Sequence, residues 1–335
     1  MRQILASTAH EQRDYRMKFI LAYTAVCLIW GSTYLGVRFA IETLPPLLMA
    51  GVRFSIAGII MFIWAKFAGA SLPNLKEARS AAIVGFMLAT VCNGLFTLAM
   101  GRVPSSIGAL IATSLPIWMV LLDWLRPNGV KPHSGVLLGV AVGFGGILLL
   151  VQPWNVFLHT THDSSHSVDI AGAGMMFIGT IGWAVGSIYA RQAQMPASPQ
   201  MNTAVQLLFG GVVMLIWGGV RGEASSVHPE NFSIKSLLAF VYLIFFGSIA
   251  AFTAYSWLLR NVSAALASSY TYINPIVAII LALTLGGEHI TATMLLAMAI
   301  ILFAVAIIAR FRNVPVAGIE LNSAKVSPLK ASEAS

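Results

Sequence analysis

Ten apolar stretches of about 20 residues, separated by short breaks, limit what this chain can fold into more than any other feature. They fall at 19–41, 46–65, 80–100, 104–124, 133–151, 170–190, 200–219, 236–258, 263–284 and 291–310. A helix needs roughly 20 residues to cross a hydrocarbon layer of about 30 Å. Only helices and closed barrels satisfy their backbone polar groups there, and runs of this length are helical. Composition agrees: 58% of residues are hydrophobic and 10% charged, against about 25% charged in an ordinary soluble domain. The predicted fold is an all-α membrane protein of ten transmembrane helices.

The breaks carry the expected punctuation. Pro45-Pro46, Pro104, Pro127, Pro132, Pro199 and Pro229 lie at or between the proposed ends, where a missing amide donor does little harm. The first run is long, contains Arg38 and is followed at once by a second, so it reads as a span rather than a cleavable signal.

Lysine and arginine orient the bundle. With the N-terminus inside, fifteen fall on the inner face: Arg2, Arg13, Arg16, Lys18, Lys66, Lys76, Arg79, Arg126, Lys131, Arg191, Arg260, Arg310, Arg312, Lys325 and Lys330. Three remain outside, Arg102, Arg221 and Lys235. That asymmetry places both termini in the cytoplasm. The net charge of +8 is thereby topological, and no nucleic-acid partner is expected. The lipid bilayer and a small-molecule substrate are the partners, and a monomer is expected.

Cys27 and Cys92 lie inside apolar runs and read as small buried hydrophobes. The longest loop contains His159, His162, Asp163 and His166. Histidines four apart could share a metal in a helix, but no apolar shell would orient them. The segment reads as a solvated outer loop. No metal and no cofactor are expected, and no GxxxxGK[ST] motif for ATP occurs.

Two stretches betray a repeat. Residues 57–64 read AGIIMFIW and residues 210–217 read GGVVMLIW, an offset of 153 that also carries Trp30 to Trp183 and Arg38 to Arg191. With six more residues inserted, Val103 through Pro116 aligns with Val262 through Pro275. Five spans per repeat is an odd number, so the halves insert in opposite senses, as in secondary transporters. The chain then divides into a cytoplasmic segment 1–18, a first five-helix repeat 19–151, an outer loop 152–169, a second repeat 170–310, and a polar cytoplasmic tail 311–335 read as disordered.

Polar and aromatic residues gather near the middle of the spans, where they are costly in lipid and mark a site. Trp30, Thr33 and Tyr34 come from span 1, Asn93 from span 3, Ser114 from span 4, Trp183 and Ser187 from span 6, and Tyr272 and Asn274 from span 9. Trp30 and Trp183 are the leading cavity residues, suited to aromatic, amphipathic or cationic ligands. Tyr270 and Tyr272 cannot share one helical face, and Tyr272 is read as the cavity residue. Pro116 and Pro275 each remove a backbone donor and permit a kink or a gate. Arg53, whose counterpart is Gln206, either attracts a substrate carboxylate or locks helices, the lock being favoured. Arg38 and Arg191 read as interfacial anchors, and Asp123 as a partner for Arg126.

The stretches LIWGSTY, PPLLMAGVRF, RNVSAALASSYTYINPIVA and GGEHI resemble the EamA-type permeases of the drug/metabolite transporter superfamily, within it the YedA-like inner-membrane permeases of Gram-negative bacteria. The resemblance covers about residues 18–312. It implies ten helices in inverted repeats, an inner-membrane location with the 152–169 loop in the periplasm, and export of small neutral or amphipathic metabolites such as amino-acid-like or aromatic compounds. Glu288 ends span 9, while its counterpart Gly129 is not acidic, so a symmetric pair of glutamates is absent. Energy coupling is left open between exchange, facilitated diffusion and protonation of a peripheral acid.

The rivals are a channel or importer for small solutes and a membrane-embedded enzyme. A channel calls for a continuous polar pore and an enzyme for convergent catalytic groups. The histidines all lie away from the central layer, so no enzymatic activity is expected.

Overall fold

A computed structural model describes residues 2–126, 131–152, 169–262, 269–288 and 290–311; the side chains of residues 2–13, 272 and 309 lie outside that description. The described residues are helical and contain no strand. Eight helices are long and apolar enough to cross a membrane: α1 (Arg2–Ala40, apolar from Asp14), α2 (Pro46–Phe67), α3 (Leu75–Ala99), α4 (Ser105–Leu125), α5 (Ser134–Val151), α6 (Ile170–Gln192), α7 (Pro199–Val220) and α8 (Ile234–Asn261). Two more, α9 (Tyr270–Thr284) and α10 (Ala292–Phe311), contain shorter apolar stretches. The His159–His166 loop and the tail beyond Phe311 lie outside the described residues.

Local chemistry sets the helix starts. Asn74 accepts from Glu77 N while Glu77 caps Asn74 N in return, a reciprocal box. That box starts α3 before the apolar run expected from 80. Pro46 and Pro199 occupy first turns, where their missing N–H is harmless. Helix α1 runs back to Arg2, so the segment ahead of the first span is helical. Ile59, Ile63, Ile280 and Phe303 are exposed on the outer faces, an apolar surface that suits acyl chains.

Close approaches reveal how the halves meet. A Cβ on Gly51 would touch Leu215, one on Gly58 Leu208, one on Gly211 Ser55, and one on Gly218 Leu48. As one helix advances the other retreats, so α2 and α7 pack antiparallel. The Gly58–Leu208 and Gly211–Ser55 contacts are images of each other under the offset of 153. On α5, Gly139 meets Ile308, Gly143 meets Ala304 and Gly146 meets Ile301 of α10, again antiparallel. Small residues let backbones approach closely, the usual basis of helix association in lipid.

The remaining packing obeys the same exchange. Helix α1 packs on α8 and α9, as α6 packs on α3 and α4, and α2 meets α8 as α7 meets α3. Both α3 and α8 widen into π-helix, at Phe86–Gly94 and Leu243–Ala250. Such widened turns occur often at functional sites.

Candidate functional site

A cavity of about 100 Å³ lies among the packed helices, with Trp30, Tyr34, Arg53, Asn93, Trp183 and Asn274 in its wall. Thr33 and Tyr270 line it too. A second cavity of about 400 Å³ is lined by Ser187, Arg191, Gln206, Tyr255 and Arg260. The C-terminal end of α8, which carries Arg260, meets the N-terminal part of α1 through Tyr15 Oη donating to Asn261 O. The N-terminal end of α8 meets the far end of α1 through Ser236 Oγ donating to Phe39 O. The second cavity therefore sits toward the end of the bundle opposite Arg38.

Five rings stand where the cavities approach one another. Trp30 lies edge to face against Trp183, with centroids 5.2 Å apart, and touches Phe252, Tyr255 and Tyr270 at 5.5, 5.0 and 5.0 Å. Trp30, Trp183 and Tyr270 line the first cavity, Tyr255 the second, and Phe252 both. Tilted and edge-on pairs of this kind are favoured by the ring quadrupoles.

The π segments shape the wall. In α3, Asn93 Nδ2 donates to Leu88 O, and in α8, Ser248 Oγ donates to Leu243 O, each reaching five residues back. Ser248 Oγ also accepts from Arg53 Nε at 2.8 Å, and Gly247 O accepts from Trp30 Nε1 at 3.2 Å. Arg53 is 2% exposed, with its guanidinium 4.7 Å from the Phe54 ring centre.

Pro116 and Pro275 each remove the helical donor for the carbonyl four residues earlier, at Ala112 and Thr271. Both of those residues line the first cavity. Helix α4 breaks at Thr113–Ser114, whose amides reach only three residues back, to Leu110 O and Ile111 O. Helix α9 continues through Pro275.

Other expected site residues distribute differently. Ser114 is buried at the α4 break, where its hydroxyl donates to Ile111 O and accepts from Trp118 Nε1; it lines neither cavity. Ser187 lines the second cavity, and its hydroxyl, like Trp183 Nε1, is buried without a partner among the described residues. With its amide turned to face acceptors, Asn274 donates to Tyr270 O and Cys27 O, at 3.1 and 3.0 Å, tying α9 to α1. The side chain of Tyr272 lies outside the described residues. Tyr270, read from sequence as the packing member of that pair, lines the cavity instead. Spacing alone showed that the two tyrosines diverge and did not mark Tyr270 for the cavity.

At the far end of the bundle, Glu288 binds several groups at once. Ser105 N and Oγ donate to its Oε1 at 2.8 and 2.6 Å, and Ser106 N and Oγ to its Oε2 at 3.2 and 2.7 Å. Arg38 Nη1 is 3.0 Å from Oε1, so Arg38 is a partner and not only an interfacial anchor. The carboxylate also meets the positive end of α4. Burial pushes its pKa up, but the Ser105 and Ser106 hydrogen bonds outweigh that and hold it below the usual range. Asp123 pairs with Arg126 at 3.0 Å. Among the described residues no cluster of metal-ligating side chains occurs.

Sequence reasoning missed Phe252 and Tyr255. Aromatic letters inside apolar runs give no contrast, so only the packing identifies them.

A sequence model of the EamA-like transporter family matches residues 17–152 and again residues 170–310. The chain is 38% identical over 288 residues to the "Uncharacterized inner membrane transporter YedA" of Escherichia coli K12, covering 86% of this chain and 89% of that one. It is 24% identical over 300 residues to the "Uncharacterized transporter YvbV" of Bacillus subtilis, covering 88% and 91%. A solved crystal structure superposes with a TM-score of 0.60 at 18% identity, over 89% of this chain and all of that one. At that identity the likeness speaks for the fold alone.

Proposed function

The chain belongs to the EamA-like transporter family of multi-pass membrane transporters, and from that premise we propose that it is an alternating-access secondary carrier rather than an enzyme. Ten spans form two inverted five-helix repeats with both termini in the cytoplasm, in the inner membrane where YedA is named to reside. The carrier exports small neutral or amphipathic metabolites of amino-acid-like or aromatic character. Trp30, Thr33, Tyr34, Arg53, Asn93, Trp183 and Asn274 bind the substrate, with Ser187 on the path to the second cavity and Pro116 and Pro275 at the bends.

One observation supports this most: repeat-related Trp30 and Trp183 meet within the ring cluster where two cavities on opposite sides approach. In a carrier of inverted repeats the site lies between the halves and opens to each side in turn. Moving those rings apart on one side at a time gives that alternation. Substrate shifts the balance only by its differential affinity for the two states.

Counterflow in proteoliposomes tests the reading. Vesicles loaded with unlabelled L-phenylalanine and phenylacetate should accumulate the labelled solute transiently, whereas vesicles lacking protein should not. Steady electrical conductance without counterflow would indicate a channel and overturn the carrier.

A further inference from the structure

Among the described residues, Arg53 is the single charged one in the wall of the first cavity. Its guanidinium has five N–H donors. The Nε–H is used on Ser248 Oγ. Among the described residues neither terminal nitrogen makes a hydrogen bond, and no carboxylate lies within ion-pair distance. A buried cation without a counter-ion is costly, and a helix lock through Nε alone leaves four donors idle. Trp183, 7% exposed in the same wall, holds a further donor at Nε1 that is unused among the described residues.

The rest of the wall is apolar or aromatic with small hydroxyls: Phe96, Phe252 and Tyr270 beside Thr97 and Thr180. One net positive charge complements one negative charge. A phosphate ester carries about two charges at neutral pH, which would leave excess negative charge buried. A planar carboxylate matches the planar guanidinium fork in a two-point contact.

We propose that the cavity takes a monocarboxylate with an aromatic or apolar body, its carboxylate seated on the terminal nitrogens of Arg53. This rests on the carrier reading and narrows its substrate class. Arg53 thereby becomes a ligand-binding residue, and its bond to Ser248 serves to aim the guanidinium.

The test uses the purified full chain in detergent and reads tryptophan fluorescence, since Trp30 and Trp183 line the site. Acetate, benzoate and phenylacetate are titrated against acetamide, benzamide and phenylacetamide, which keep the shape without the charge. At least one aromatic acid should bind saturably and at least tenfold more tightly than its amide. Arg53→Gln should abolish that preference and Arg53→Lys should retain part of it. Circular dichroism and thermal unfolding confirm that both variants fold, and if Arg53→Gln unfolds, the acid–amide ratio of Arg53→Lys and the wild type decides. Equal binding of acid and amide, no saturable acid binding, or an unchanged preference in a folded Arg53→Gln protein each overturns the proposal. Counterflow of an uncharged solute alongside such a failure would leave the carrier standing and remove only the carboxylate.

Discussion

Trp30 and Trp183, 153 residues apart in sequence and equivalent in the repeat, meet edge to face with ring centroids 5.2 Å apart. Their hydrogen bonding is not equivalent. Trp30 Nε1 donates to Gly247 O, while Trp183 Nε1 is buried without a partner among the described residues. Like residues at the sequence offset of 153 thus sit in different environments.

That asymmetry predicts different costs for the same substitution. Trp30→Phe loses a buried hydrogen bond and ring volume, and should destabilise by roughly 2 kcal/mol. Trp183→Phe removes a donor whose burial costs roughly 1–3 kcal/mol, which offsets the lost volume, so its net effect should be within about 1 kcal/mol of zero. Thermal unfolding of the two variants in one detergent checks the order. Equal losses would contradict the assignment.

Close helix approach gives a second prediction. A Cβ on Gly85 would fall 2.2 Å from the backbone oxygen of Gln206, whereas one on Gly145 meets nothing within 4 Å among the described residues. Gly85→Ala must separate α3 from α7 and should cost about 2–3 kcal/mol, the upper part of the usual overpacking range. Gly145→Ala should be neutral, or stabilise by up to about 1 kcal/mol through helix propensity. Melting temperature and membrane yield measure both.

Glu288 predicts a pH dependence. Its folded carboxyl has a pKa below the usual value, so its contribution is complete above the unfolded pKa of about 4.3 and is lost as pH falls through the lower folded value. Glu288→Gln should lower stability by roughly 2 kcal/mol at pH 7, and the gap from wild type should close below about pH 4. It should stay constant between pH 6 and 8. A gap that varies across that neutral range would show that Glu288 titrates there.

Much of this architecture could be read before any coordinates, for a physical reason. Spans announce themselves because lipid tolerates few polar residues, and the likeness of the halves was legible at Trp30/Trp183 and Pro116/Pro275 because indole and helix-breaking proline stand out in apolar runs. Other features depend on distant partners. Arg38 and Glu288 are 250 residues apart, and nothing local to Arg38 distinguishes a latch from an anchor. The π segments depend on which carbonyl each amide reaches, a register that composition does not record. Phe252, Tyr255 and Tyr270 were hidden for the opposite reason: a ring among hydrophobes is unremarkable until its neighbours are known.

Side-resolved labelling at Asn93, in the cavity wall, tests the central claim most directly. In a Cys27→Ala, Cys92→Ala background, Asn93→Cys is treated with a membrane-impermeant methanethiosulfonate in right-side-out and in inverted vesicles. Alternating access predicts reaction from both sides, slowed from both by a transported solute. Reaction from one side only, or from neither, would contradict a chamber that opens to each face in turn.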